Sequence, residues 1–275
     1  MPLLTLLLCL LLGCATTLAA PAPPQRIASM NLCTDHLLLL LVERERIVTL
    51  SRFAADPQWS WLAEEARGIP GNRGQAEEIL AFAPDLILTS QFSATLAGNL
   101  LEQLGHSVAR LGFANSPDEA YAQIRQVAAL AGREAAGAAL IADITNRIAR
   151  ANAVLRPHLQ GKRALFLTSN GFSYGSGTLQ HAFLEDLGLR NVAAEAGLVG
   201  PAPMPLELLL VASPDFIFHD TPSALGAQLA QPLLQHPALD ALGQRTRRLI
   251  LPEAWFQCAG PRMALPWESL QEQLL

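Results

Sequence analysis

Short, mostly apolar runs alternate with amphipathic segments along most of the chain. Runs of four or five residues at 26–30, 47–50, 86–89 and 163–167 are predicted to be strands, and the segments between them have helical periodicity. Strands that alternate with helices are typical of parallel sheets. The pattern therefore predicts an α/β fold with mainly parallel sheets.

The longest helical pattern lies near the middle of the chain. Apolar residues recur at three- and four-residue steps over 141–155. Pro157 disfavours helical geometry in the residue before it, so the helix is predicted to run from Glu134 to Arg156. At about 1.5 Å per residue it would be roughly 35 Å long. That length exceeds an ordinary crossover between two strands.

One helix-to-strand unit occurs twice, 130 residues apart. AEEILAFAPDLIL at 76–88 and LELLLVASPDFIF at 206–218 each place an acidic residue seven positions before a Pro-Asp pair and an apolar run. Pro-Asp before a strand is also common turn chemistry, but this period far exceeds the 20–50 residues of solenoid repeats. We therefore predict two Rossmann-like lobes, 21–132 and 158–275, bridged by one helix at 133–157.

The first twenty residues differ from the rest. Leu3–Leu12 is almost entirely apolar, too short to span a bilayer, and followed by small residues and prolines. This is typical of a secretory signal, so we expect residues 1–20 to be a signal peptide and the protein to be periplasmic. Cleavage after Ala19 would release a soluble chain, which we favour. The alternative is a lipoprotein anchored through Cys14.

Composition limits the classes of function. Hydrophobic residues make up 51% of the chain and charged residues 16%, which allows a large core. The net charge of -5 and the absence of a Lys/Arg cluster argue against nucleic acid as a partner. An exported α/β hydrolase would require a Gly-x-Ser-x-Gly nucleophile elbow. We expect no such elbow here and no catalytic residues.

Several stretches together resemble the periplasmic substrate-binding proteins of ABC importers for cobalamin, ferric siderophores and haem. They are RIASMNLCTDHLLLLL at 26–41, the two repeated units, GSGTLQHAFLEDLGLRNVA at 175–193 and WFQCAGPRMAL at 255–265. The resemblance implies a non-enzymatic monomer that holds a cobalt or iron chelate in a cleft between its lobes and closes only modestly. The chelate is cargo, so no cofactor is expected. A free zinc or manganese carrier is the alternative on this fold, but the six histidines are scattered.

The candidate ligand site follows from the topology. In open α/β sheets, ligands bind outside the carboxyl ends of the strands. Planar ligands need aromatic walls, and arginines can pair with acidic groups of the ligand, although each aromatic could instead be core packing. A lone histidine after a strand could contact a metal centre or be structural. The candidate ligand-binding residues are Asn31, Cys33, Arg52, Trp59, Trp61, Arg73, Phe92, Phe172, Tyr174, His219, Trp255 and Cys258.

Cys33 and Cys258 are the cysteines that remain after soluble export, and each falls in a predicted cleft loop of a different lobe. In an exported protein such a pair suggests a disulfide, which would join the two lobes. Free thiols that line the pocket and soft ligands to a bound metal centre are the other interpretations.

The two repeated units each carry an acid near the start of a helix, Glu77 and Glu207. Stabilisation by the helix dipole would explain them locally. In the family that the chain resembles, one surface glutamate on each lobe docks against arginines of the two permease subunits. The resemblance therefore implies docking of an ABC permease dimer through Glu77 and Glu207, with Glu78 as an alternative in the first lobe. We expect membrane contact only through this permease or an N-terminal lipid.

Overall fold

The computed structural model describes residues 22–220, 237, 245–258 and 260–275. The predicted signal peptide at 1–20, including the alternative lipidation site Cys14, lies outside these residues. In the described part of the chain, no helix has the length and apolar character needed to cross a membrane.

Five parallel strands form the sheet of the first lobe, as the alternating pattern predicts. Their order is β3-β2-β1-β4-β5, and it reverses direction between β1 and β4 as in doubly wound folds. Ile87 and Leu88, adjacent on the inner strand β4, are both fully buried, so both faces of the sheet are covered. The strands are β1 (Ile27–Ser29), β2 (Ile47–Ser51), β3 (Gly71–Asn72), β4 (Leu86–Ser90) and β5 (Val108–Leu111).

The helices of the first lobe connect these strands. The longest, at 117–131, begins with Pro117 in its first turn, and the Ser116 side chain accepts a hydrogen bond from the Glu119 N–H. Such caps satisfy N–H groups that have no partner within the helix. The helices are α1 (Leu32–Leu41), α2 (Ala63–Ala66), α3 (Ala76–Leu80), α4 (Thr95–Gln103) and α5 (Pro117–Ala131).

Helix α6 (Glu134–Leu159) connects the two sheets. Its start agrees with the prediction, but the predicted end at Arg156 is wrong, because Pro157 lies inside the last turn. A proline there removes one hydrogen bond of the helix. Leu155 and Leu159, four residues apart on one face, are both almost completely buried. Their burial offsets the lost bond, so the helix continues past the proline.

The described part of the second lobe has four parallel strands in the order β11-β10-β6-β8 and a separate antiparallel pair, β7 and β9. The strands are β6 (Arg163–Phe166), β7 (Phe172–Tyr174), β8 (Arg190–Asn191), β9 (Pro201–Pro203), β10 (Phe216–His219) and β11 (Arg247–Ile250). The helices are α7 (Leu179–Asp186), α8 (Val192–Glu195), α9 (Leu206–Ala212) and α10 (Leu265–Leu274), and 3-10 turns lie at Glu253–Phe256 and Pro261–Ala264.

The two lobes share one hydrophobic core that passes through α6. Ile144 of α6 is fully buried in the same cluster as Leu38 of the first lobe and Phe183 of the second. Arg147 of α6 also forms a two-pronged ion pair with Glu268 of α10, with both N–O distances at 2.7 Å. Helix α6 is therefore fixed to both lobes.

The repeated unit has the same structure in both lobes. The Asp85 carboxylate accepts a hydrogen bond from the Arg26 N–H at 2.9 Å, and the Asp215 carboxylate accepts one from the Arg163 N–H at 2.8 Å. Each of these arginines also donates from its guanidinium to the carbonyl of the residue two before the proline. The similarity of the two sequence segments is therefore a structural repeat.

Candidate ligand-binding cleft

The carboxyl ends of the two sheets meet at a cleft between the lobes. Cys33 lies in the first turn of α1, directly after β1, and Cys258 follows β11 and its 3-10 turn. The two form a disulfide with a Cα–Cα distance of 5.2 Å, a separation at which disulfides commonly form. Of the three interpretations of these cysteines, the structure therefore shows the disulfide. Neither sulfur is a free thiol or a metal ligand in this state.

Asn31 lies at the point where the strand order of the first sheet reverses, the expected place for a ligand. Its side-chain oxygen accepts from the Cys33 N–H at 2.9 Å, and its side-chain nitrogen donates to Ser93 Oγ at 3.2 Å. Asn31 thus ties the loop after β1 to the loop after β4. Its main contribution is to hold the cleft floor in place.

Trp59 and Trp61 line a pocket beside the disulfide, together with residues of the second lobe that include Cys258. Trp59 is 58% exposed and Trp61 is 37% exposed. Trp59 contacts Phe53 edge to face, with ring centroids 5.7 Å apart. Rings this exposed are not core packing. The structure therefore brings both predicted tryptophans to the cleft.

A stacked aromatic pair stands at the ends of two neighbouring strands. Phe92 follows β4 and Phe113 follows β5, and their rings are nearly parallel with centroids 4.2 Å apart. They are 60% and 67% exposed. Sequence analysis identified Phe92 and missed Phe113. The rule that ligands bind at carboxyl ends of strands would have found Phe113, because it lies two residues after β5.

The two predicted arginines differ in their surroundings. Arg73 forms an ion pair with Glu78 at 3.0 Å, and its backbone N–H donates to the same carboxylate. Its charge is therefore already compensated. The Arg52 guanidinium lies 4.8 Å from the centroid of the Phe53 ring, within cation–π range. Arg52 is exposed and makes no ion pair within the described residues, so it is the more available of the two.

Tyr174 and His219 lie together at the carboxyl end of the second sheet. Tyr174 is mostly buried and its hydroxyl donates to the Glu253 carboxylate. Burial and this hydrogen bond raise the pKa of Tyr174 far above its ordinary value, so the phenol stays protonated. The Nδ1 atom of His219 lies 3.0 Å from the Asp220 carbonyl oxygen and donates a hydrogen bond to it. Both side chains line one small pocket with Glu253.

Phe172 and Trp255, the other two aromatic candidates of the second lobe, differ in their exposure. Phe172 begins β7 and is 37% exposed. Trp255 is half-buried and packs against the shared core. Phe172 is therefore available to a ligand, whereas much of Trp255 contributes to the interior.

Asp35 and His36 are buried titratable groups behind the cleft, and the sequence analysis did not single them out. The Ser51 amide and hydroxyl both donate to the Asp35 carboxylate, but burial dominates and raises the pKa of Asp35 to about 6. Burial, and then the charge of Arg262, lower the pKa of His36 to about 4. Both residues lie in the apolar helix α1, where periodicity gave no sign of their polar partners.

A Gly-x-Ser-x-Gly pattern is present in the second lobe, contrary to the expectation from the sequence. Residues 171–175 do spell Gly-x-Ser-x-Gly, so the expectation that this pattern is missing is wrong. The serine, Ser173, lies inside strand β7, is fully buried, and donates its hydroxyl to the Phe166 carbonyl at 2.6 Å. A nucleophile elbow instead exposes the serine on a strand-to-helix turn. Ser173 is therefore a structural residue.

The described residues contain no cluster of three or more His, Cys, Asp or Glu side chains that could hold a metal ion.

The two predicted docking acids occupy equivalent positions. Glu77 is the second residue of α3 and Glu207 the second residue of α9, and both are exposed. Neither forms an ion pair within the described residues, whereas Glu78 is paired with Arg73. Glu77 also lines a groove of about 590 Å³ with Leu96, which is 87% exposed. Of the two neighbouring acids, Glu77 is the one with its charge available.

These features define a two-lobed ligand-binding protein, in which a helix packed into the core joins two α/β lobes around a cleft. Residues 27–247 match the model of the periplasmic binding protein family, and the chain belongs to that family. Proteins of this family are binding proteins and not enzymes.

Individual relatives agree with this class. The chain is 25% identical over 205 residues to a cobalamin-binding protein of Halobacterium salinarum; the match covers 74% of this chain and 55% of that protein, so the chain spans about half the length of its curated relatives. A periplasmic heme-binding protein from Roseiflexus sp. RS-1 has a TM-score of 0.71 at 25% identity, over 90% of this chain and 97% of that one. A periplasmic vitamin B12 binding protein from Vibrio cholerae has a TM-score of 0.66 at 20% identity, over 91% and 93%.

Proposed function

We propose that this protein is the exported binding component of an ABC importer and that it captures a cobalt or iron chelate: cobalamin, haem or a ferric siderophore. The observation that carries the proposal is the exposed aromatic surface at the carboxyl ends of the strands. Trp59, Trp61, Phe92, Phe113 and Phe172 are each between 37% and 67% exposed. Exposed rings of this size in a cleft suit a large ligand with flat apolar parts.

The relatives support the same class of ligand. They are a cobalamin-binding, a heme-binding and a vitamin B12 binding protein, and these ligands are all large metal chelates. The family is one of periplasmic proteins, and we place the mature chain in the periplasm after removal of residues 1–20. Soluble export is the simpler route, and anchoring through Cys14 is the alternative to test by the mass of the exported chain.

We further propose that the chelate is delivered to the permease by docking through Glu77 and Glu207. Two unpaired acids at equivalent positions of a structural repeat suit a partner with two basic, pseudo-symmetric subunits. Charged groups at the rim of an interface mainly govern the rate of encounter and its salt dependence.

The ligand class is tested by tryptophan fluorescence of the mature chain, residues 21–275, titrated with cyanocobalamin, hemin and ferrichrome. At least one should quench fluorescence with saturation. In the control variant with Trp59→Phe and Trp61→Phe, the quenching should fall, because the remaining tryptophans are partly or fully buried. If all three titrations stay flat, and equilibrium dialysis agrees, the proposed ligand class is wrong.

A further inference from the structure

Arg262, an arginine of the cleft, has no partner of opposite charge among the described residues. Arg262 lies in the 3-10 turn Pro261–Ala264 and is half-buried. Within the described residues its guanidinium forms no ion pair or hydrogen bond. The guanidinium carbon lies 5.9 Å from the centroid of the Trp61 ring. Burial lowers the pKa of Arg262, yet a guanidinium stays protonated in proteins. A partly desolvated, uncompensated cation is costly, and an anion would relieve that cost.

A second polar group at the same place is also unsatisfied. His36 is only 4% exposed, and its Nε2 lies 3.0 Å from Ser60 Oγ, but its Nδ1 is buried without a partner in the described structure. Ser60 Oγ already accepts from the Leu62 N–H at 3.1 Å, so its own proton is available for His36 Nε2. In that arrangement the ring proton sits on Nδ1, which becomes a donor.

Both groups line one small pocket at the junction of the lobes. The His36 and Trp61 rings meet edge to face at 5.7 Å, and the Arg262 guanidinium lies 5.9 Å from the Trp61 ring centroid, so the three residues are neighbours. The pocket has a volume of about 20 Å³, enough for one water-sized atom since a water needs roughly 10–15 Å³. Among the described residues that line it there is no carboxylate. Its electrostatic character is therefore positive.

We propose that this pocket, the Arg262 pocket, is a subsite for an oxyanion of the ligand. One acidic oxygen of the chelate enters it and accepts a hydrogen bond from the Arg262 guanidinium, next to His36, whose buried Nδ1–H reports on the pocket. Trp59 and Trp61 contact the flat part of the chelate beside it. The oxygen belongs either to a carboxylate, as in haem, or to a phosphodiester, as in cobalamin. The inference rests on the proposed function and assigns the acid-binding role to Arg262. Arg73 is already paired with Glu78, and Arg52 is exposed and does not line this pocket.

The first test uses small anions and does not depend on the identity of the chelate. The ¹⁵N signal of His36 Nδ1 is followed in the mature chain during titration with sodium acetate or inorganic phosphate at constant ionic strength. We expect a saturable shift in the wild type and in the control Arg73→Gln, loss of the shift in Arg262→Gln, and partial retention in Arg262→Lys. Arg262 donates no hydrogen bond to the described residues, and circular dichroism checks that each variant is folded. Absence of saturation in the wild type, or its persistence in Arg262→Gln, overturns the proposal.

The second test distinguishes the two sources of the oxyanion. Affinities are measured for hemin against hemin dimethyl ester, and for cyanocobalamin against dicyanocobinamide, which lacks the phosphodiester. In one of these two ligand pairs, we expect the wild type to bind the acidic ligand at least about tenfold more tightly than its neutral counterpart. Arg262→Gln should remove this difference in affinity, and Arg73→Gln should keep it. If chelates bind but Arg262→Gln changes neither preference, the subsite is wrong and the proposed function stands. If no chelate binds, the proposed function fails, and the anion titration alone decides whether the pocket binds oxyanions.

Discussion

Asp35 and His36 are neighbours on helix α1, and both are buried, the first against Ser51 and the second against Ser60. Burial favours the neutral form of each, so the pKa of Asp35 rises from 3.8 to about 6 and the pKa of His36 falls from 6.5 to about 4. Their effects on stability therefore have opposite signs over nearly the same pH range.

The two contributions can be separated by mutation. Between about pH 4 and 6 the folded state keeps the proton of Asp35 that the unfolded state releases, so this residue makes stability fall as pH rises. Between about pH 4 and 6.5 the unfolded state binds a proton on His36 that the folded state does not, so this residue makes stability rise with pH. Each effect amounts to roughly 3 kcal/mol at 1.36 kcal/mol per pKa unit.

We expect Asp35→Asn to make the free energy of unfolding rise more steeply with pH between 4 and 6.5 than in the wild type. His36→Gln should give the opposite change in slope. Urea unfolding at pH 4, 5 and 6.5 measures both. Slopes that stay equal to the wild-type slope in both variants would show that neither group is buried in its neutral form.

Removal of the disulfide should destabilise the protein without unfolding it. The Cys33–Cys258 bond closes a loop of 225 residues, and the chain-entropy contribution of a loop this long is about 5 kcal/mol. The double variant Cys33→Ser with Cys258→Ser should lose about that much in guanidinium unfolding, because the shared core still joins the lobes. Iodoacetamide should add no mass to the native mature chain and two adducts after reduction and unfolding. Adducts without reductant would contradict the bond.

Ligand binding should change the overall dimensions very little. One face of helix α6 packs into the shared core, and the Arg147–Glu268 ion pair holds the helix to α10. It therefore cannot act as the flexible hinge that loop-connected lobes provide. We expect the radius of gyration from small-angle scattering to be the same, within error, with and without a saturating chelate. A contraction typical of wide hinge closure would mean that the lobes move about a point other than α6.

Substitution of the two proposed docking acids should slow delivery of the chelate to the permease and leave the affinity for the chelate unchanged. In the double variant Glu77→Ala with Glu207→Ala, we expect wild-type affinity for the chelate and a several-fold lower rate of uptake in cells that carry the permease, with weaker dependence on salt. Glu78→Ala is the matched control, because that acid is already paired with Arg73. Undiminished uptake in the double variant would reduce both glutamates to a local role at the helix starts.

The sequence by itself determined the local elements and the repeat. Runs of apolar residues predicted strands β1, β2, β4 and β6, and the two Pro-Asp units predicted paired lobes, because side-chain periodicity and turn chemistry act over a few residues. The same reasoning placed Trp59, Trp61 and Phe92 at strand ends. These features depend on neighbours in sequence, so one chain is enough to see them.

The tertiary structure decided the rest. Whether Cys33 bonds to Cys258, and whether Arg73 or Arg262 keeps its charge available, depends on residues far apart in sequence that folding brings together. Helix α6 continues past Pro157 because Leu155 and Leu159 are buried in the shared core, which outweighs the local preference of the proline. Long-range packing overrides local preference wherever the buried area is large, and such contacts cannot be read from spacing along the chain.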